Sequence, residues 1–169
     1  MDKQSIFFSI LAVIIATIIL FVGLSYYTRS RKMQIVDEMQ LNKSYLIWLL
    51  GIILPFFVYC GASVQASETT IETIIHAKEI NDTFFQILYR LVIYFGLAIV
   101  LAVSSNYLIF KLFGIIIGGR SLIVELENSN TSLFLVLMLI NLFFSFSIIN
   151  PFKDLLNWYL PQIATNFIY

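Results

Sequence analysis

Four stretches of this chain, residues 4–28, 44–67, 91–110 and 128–152, contain no Asp, Glu, Lys or Arg, and each reaches the roughly 20 residues that a helix needs to cross a bilayer core. In lipid every backbone N–H and C=O has to be satisfied within the protein, so uncharged runs of this length read as membrane-spanning helices. Composition agrees: of 169 residues, 60% are hydrophobic and 12% charged, against about 25% charged in soluble domains. Four crossings place nearly every residue in a helix or a short connection and leave no soluble catalytic domain among these residues. The expected fold class is an all-α membrane protein, with residues 1–169 forming a single transmembrane domain. The first stretch is longer than the apolar region of a secretory signal and no small-x-small cleavage site closes it, so it reads as a retained helix.

The charges between the stretches set an orientation. Arg29, Arg31, Lys32 and Lys43 lie in or beside the first connection, whereas the second holds Lys78 among Glu68, Glu72, Glu79 and Asp82. The basic excess places the first connection in the cytoplasm and the second outside. Lys111 and Arg120 put the third inside as well, so both termini are expected outside; Lys3 and Lys153 run against this assignment.

Local signals then refine the four helices. The first is expected over 5–27, closing on the interfacial pair Tyr26 and Tyr27, and the second over 44–64, kinked near Pro55. Residues 65–83 predict a separate external amphipathic helix, with Ile71, Ile74 and Ile75 on one side and Glu68, Glu72 and Glu79 on the other. His76 follows Glu72 by one turn, but with no second His or Cys at ligand spacing it makes no metal site. Cys60 reads as a small apolar packing residue and is the sole cysteine, which rules out an intrachain disulfide.

The third helix, expected over 84–117, carries Arg90 and Lys111, both near plausible interfaces and therefore expected to snorkel. Turned into the bundle instead, either would be the leading functional candidate, with Asp82 as the partner of Arg90 and Glu125 or Glu127 as that of Lys111. Gly118 and Gly119 break this helix, and a fourth follows over 131–149, where Asn141 and Ser145 share a face suited to bonding with a neighbouring helix. Asn150 followed by Pro151 reads as an N-cap and first turn, predicting a short interfacial helix with Phe152, Leu155, Leu156 and Tyr159 along one stripe.

A short pattern occurs twice. Ile35, Val36 and Asp37 are followed by Asn42 and Ser44; Ile123, Val124 and Glu125 are followed at the same spacing by Asn130 and Ser132. The chain therefore divides into two helix-loop-helix units, about 5–64 and 84–150, joined by the external connection 65–83 and followed by the tail 151–169. Two helices per unit return the chain to the same side, so these are parallel repeats about an axis along the membrane normal. Asn42 and Asn130 are expected at equivalent positions, capping the helices that follow them.

In residues 124–132, Val-Glu-Leu-Glu-Asn-Ser-Asn-Thr-Ser, and more loosely in 36–44, the chain resembles the YjfL-like family of bacterial inner-membrane proteins, which are built of tandem two-helix units. It departs from that family with Ser129 where Gly is common and Phe134 where Ala is common. The resemblance implies residence in a bacterial cytoplasmic membrane and supplies no catalytic residue or cofactor.

Three function classes compare as follows. An oligomerising or scaffold subunit of a membrane assembly fits the modest Ser, Thr and Asn content of the spans, with other membrane subunits or further copies of the chain as partners. A channel or transporter component draws on the repeat and on Pro55, but four helices are too few to enclose a pore, so it requires an oligomer. Enzyme chemistry lacks its residues: there is no His/Asp/Glu cluster, CxxC, GxSxG or Gly-rich phosphate loop. The basic connection mixes in Asp37 and Glu38 and is better explained by topology than by anionic-lipid binding, and beyond those few charges there is no nucleic-acid footprint.

Overall fold

The computed structural model describes residues 3–30, 36–37, 40–76, 83–119 and 122–161. Along the chain these form α1 (Lys3–Ser30), the strand pair β1 (Val36–Asp37) and β2 (Gln40–Leu41), α2 (Lys43–His76), α3 (Thr83–Ile116), α4 (Leu122–Glu127) and α5 (Thr131–Asn157). The two strands pair antiparallel, Val36 opposite Leu41 and Asp37 opposite Gln40. Helices α1, α2, α3 and α5 are each long and apolar enough to cross a membrane. At 1.5 Å per residue, α2 and α3 reach about 50 Å, well beyond the roughly 30 Å of a hydrocarbon core.

Side-chain contacts fix the directions. Ser9 meets Ser67 and Tyr27 stacks on Trp48, so α1 and α2 are antiparallel. Ser63 bonds to the Tyr94 carbonyl and Gly51 lies against Asn106, which makes α2 and α3 antiparallel too. Asn141 reaches Gly51 and Phe152 packs on Tyr59, so α5 runs parallel to α2. Arg29 and Lys43 mark one end of the bundle, the basic end; Glu68 and Glu72 mark the other, the acidic end.

Helix α2 is the centre, packed against α1, α3 and α5. Its buried residues Phe56, Tyr59, Ala62, Ser63, Ala66, Ser67 and Thr70 explain why. Lipid tails are as apolar as Leu, so helices in a bilayer associate through close van der Waals contact and hydrogen bonds, for which small residues are suited. Ala98 and Ala102 on α3 and Ala16 on α1 add buried small side chains to the core. The outer faces carry Phe7, Ile18, Val22, Val92, Val100, Phe143 and Phe146, large apolar side chains exposed where acyl chains would cover them.

The four long apolar helices stand as expected, but the additional elements differ. Residues 65–76 are not a helix of their own; they continue α2, because no glycine or proline interrupts them and Ile71 and Ile74 stay buried in register with the core, while Ile75 is exposed. Likewise Pro151 does not begin a new helix. α5 continues through it to Asn157, held by Phe152 and Leu156, which are buried in the core. Residues 162–169 of the predicted tail lie outside the described residues.

Gly118 and Gly119 end α3 as expected. Both have positive φ, 80° and 78°, the Gly119 N–H donates to the Gly114 carbonyl and the Gly118 N–H to the Ile115 carbonyl, the double closure of a Schellman motif. The short α4 follows, a turn that sequence reading merged into the approach to α5.

A two-fold axis relating the predicted units would give α1 and α5 an interface matching that of α3 and α2. α1 packs against α2 and α3 instead, with at most marginal contact to α5. The two units therefore differ in their surroundings.

Candidate functional site

Proline at position 55 has no backbone N–H, so the Gly51 carbonyl one turn earlier loses its normal helical partner. The Asn141 side chain of α5 takes that role: its Nδ2 donates to the Gly51 oxygen at 2.6 Å. The helices pack closely here: a Cβ at position 51 would stand in van der Waals contact with the Met138 Cα and the Asn106 Nδ2, each at 3.6 Å. Asn141 is 1% exposed and Ser145 fully buried, with the Ser145 hydroxyl donating back to the Asn141 carbonyl at 2.8 Å. Pro55 and the pair Asn141 and Ser145, singled out separately from sequence, thus form one constellation. Gly51, the group that joins them, was not recognised, because its role depends on the partner helix.

Next to this constellation the Tyr59 hydroxyl lies beside the Ser105 and Ser145 hydroxyls without hydrogen-bond geometry to either. The Asn141 Oδ1 also has no partner among the described residues. Toward the acidic end the polar groups are paired between helices: Thr70 with the Tyr94 hydroxyl at 2.8 Å, Ser63 with the Tyr94 carbonyl at 3.0 Å, and Ser9 with Ser67 at 2.9 Å.

The repeat residues do not behave alike. Asn42 caps α2 as expected, its Oδ1 accepting from the N–H groups of Ser44 at 2.9 Å and Tyr45 at 3.4 Å. Its Nδ2 donates to the Leu126 carbonyl in α4 at 3.2 Å, tying the first connection to the third. Asn130 also stands at an N-cap position, of α5, but makes no side-chain cap; its Nδ2 donates to the Glu125 Oε2 at 3.0 Å instead. Ser44 is buried and Ser132 exposed. The side chain of Asp37 lies outside the described residues. Ser129, between α4 and α5, is the one described non-glycine residue with positive φ, 55°. It closes α4 in the same double hydrogen-bonded fashion that the two glycines close α3, through Asn130 N–H to Glu125 and Ser129 N–H to Leu126.

Arg90 and Lys111 are not drawn into the bundle centre. Arg90 is half-buried at the acidic end, where its Nε donates to the Tyr159 carbonyl at 3.1 Å and its Nη1 to the Gln86 Oε1 at 2.6 Å. This cation sits just past the C-terminus of α5, where the helix dipole favours it. Its predicted partner Asp82 lies outside the described residues. Lys111 is exposed near the basic end. Cys60 is buried and free, and among the described residues no three His, Cys, Asp or Glu side chains gather to hold a metal. Comparison with family models, with curated proteins and with solved structures finds no match.

Proposed function

We propose that this chain is a non-catalytic subunit of a membrane assembly, a small multi-pass protein that oligomerises or seats other membrane proteins in a bacterial cytoplasmic membrane, with both termini outside. The observation that carries the reading is the Asn141 to Gly51 bond: the strongest polar feature of the spans is spent on holding α5 against α2. The hydrogen bonds of Ser9, Ser63, Ser67 and Thr70 have the same character. Hydrogen bonds of this kind in membranes contribute about 0.6 kcal/mol each, a magnitude suited to packing specificity. The YjfL-like resemblance belongs to the same proposal, and the positive φ of Ser129, at a position where glycine is common in that family, supports it.

A channel or transport component is the second reading, favoured by the Tyr59 hydroxyl and the Asn141 Oδ1, buried polar atoms without partners. Both are enclosed within one bundle, so conduction would require the helices to part or several copies to associate.

The test is the mass of the complex extracted in mild detergent, with co-purifying proteins identified. The subunit reading expects a particle of several chains, or one with specific partners. A monodisperse 19.5 kDa chain in both detergent and nanodiscs, with nothing bound, would contradict it.

A further inference from the structure

Toward the basic end the bundle is not filled. A half-open cavity of about 540 Å³ lies between α1, α2 and α3 and is bordered by α4, with Leu24, Ile52, Val103, Phe110, Ile123 and Leu126 among its walls. That volume falls within the range of roughly 300–1,000 Å³ typical of small-molecule sites, which are mostly apolar with a few placed polar groups. Here the placed group is Asn106. Its side chain lines the cavity, the residue is 7% exposed, and its amide makes no hydrogen bond to any described residue. An amide held in apolar surroundings without a partner is costly, and in a membrane water does not supply one cheaply. At the rim the stacked pair Tyr27 and Trp48, ring centroids 6.2 Å apart, joins α1 to α2, in the manner of aromatic side chains at a headgroup boundary.

We propose that this cavity binds an uncharged single-chain amphiphile drawn from the membrane, its apolar chain against the walls and its one carbonyl or hydroxyl group hydrogen-bonded to Asn106. Three observations select the class. Among the described residues the walls carry no charged side chain, so a charged headgroup beside Asn106 would find no counter-ion in them. Asparagine offers both a donor and an acceptor, which suits an ester or a hydroxyl equally. Asn106 stands about 8 Å along α3 from Lys111 toward the bundle middle, below the level at which that lysine reaches the interface, so the group it meets has to be neutral. Gly23 lines the cavity, and a Cβ there would have nothing within 4 Å, so the space beside α1 is open. Binding there does not depend on the assembly reading.

The probe is a long-chain monoacylglycerol with a photoactivatable group in its acyl chain, cross-linked to the full chain in phosphatidylcholine nanodiscs and mapped by mass spectrometry. Cross-links are expected to concentrate on residues 19–30 and 99–110 rather than on the lipid-facing residues 143–146. Unlabelled monoacylglycerol should compete at least tenfold better than an alkene of the same chain length, and Asn106→Leu should erase that advantage. Gly23→Leu, whose Cβ meets nothing within 4 Å and which narrows the cavity beside α1, should lower cavity labelling tenfold. Labelling spread evenly over the outer faces, or equal competition by the alkene, would overturn the proposal, the latter because any lipid tail would then suffice. Should Asn106→Leu fail to fold, Gly23→Leu decides: cavity labelling at the wild-type level in that variant overturns it as well.

Discussion

The Asn141 side-chain amide stands in for the backbone N–H that Pro55 lacks, donating to the same Gly51 carbonyl that residue 55 would otherwise bond. The relationship couples a helix-weakening residue in α2 to a polar residue in α5, and it makes the two interdependent. Asn141→Leu should destabilise the protein by about 0.6 kcal/mol, up to roughly 1.7, because the Gly51 oxygen is left without a donor. In a Pro55→Ala background the same substitution should cost clearly less, since alanine restores the helical N–H. Unfolding in a double-mutant cycle measures this; costs that simply add would show that the two residues are not linked.

Ser129 holds a left-handed backbone conformation at the end of α4, which costs a residue with a Cβ roughly 1–2 kcal/mol relative to glycine. Ser129→Gly should therefore raise stability by about 1 kcal/mol and leave the fold unchanged, offset in part by the greater freedom of glycine in the unfolded chain. An unaltered or lowered thermal midpoint would mean that this conformation is not populated.

Arg90 closes the end of α5 through the Tyr159 carbonyl. Replacing it with leucine should loosen the last turn, where Trp158, Tyr159 and Leu160 donate to Leu155, Leu156 and Asn157. A cation at a helix C-terminus contributes about 0.3–1 kcal/mol, so exchange of these three amides should quicken roughly two- to fivefold. Protection equal to wild type would assign Arg90 to the membrane surface alone.

Much of this architecture was legible because it depends on local chemistry. The uncharged runs locate α1, α2, α3 and α5, paired glycines locate the end of α3, and Asn42 locates the start of α2. The errors share one cause. Residues 65–76 turn from apolar to amphipathic and Pro151 signals a new helix start, yet Ile71, Ile74, Phe152 and Leu156 are buried in the core, and that packing carries α2 and α5 onward. Tertiary contact overrode local punctuation. At the candidate site Pro55, Asn141 and Ser145 were visible as residue types, whereas Gly51 and Asn106 acquire their roles only through neighbours that lie far away in sequence. Asn42 and Asn130 share a local spacing, but the Asn42 amide finds its acceptor far along the chain at Leu126, whereas that of Asn130 finds Glu125 close by.

Orientation is open to a direct chemical test. With Cys60 replaced, a single cysteine at position 76, at the acidic end of α2, should react with an impermeant thiol reagent added from outside intact cells. Labelling that requires lysis would reverse the assignment of both connections and both termini.

The central claim is that the polar groups of the spans, Asn141 foremost, serve contact between helices and not passage through them. Conductance of the purified chain in planar bilayers tests it, with wild type and Asn141→Leu compared at matched protein density. The account predicts no conductance above the protein-free bilayer for either. A wild-type conductance that Asn141→Leu alters would contradict it, because a side chain that only fastens α5 to Gly51 has no means of tuning ion flow.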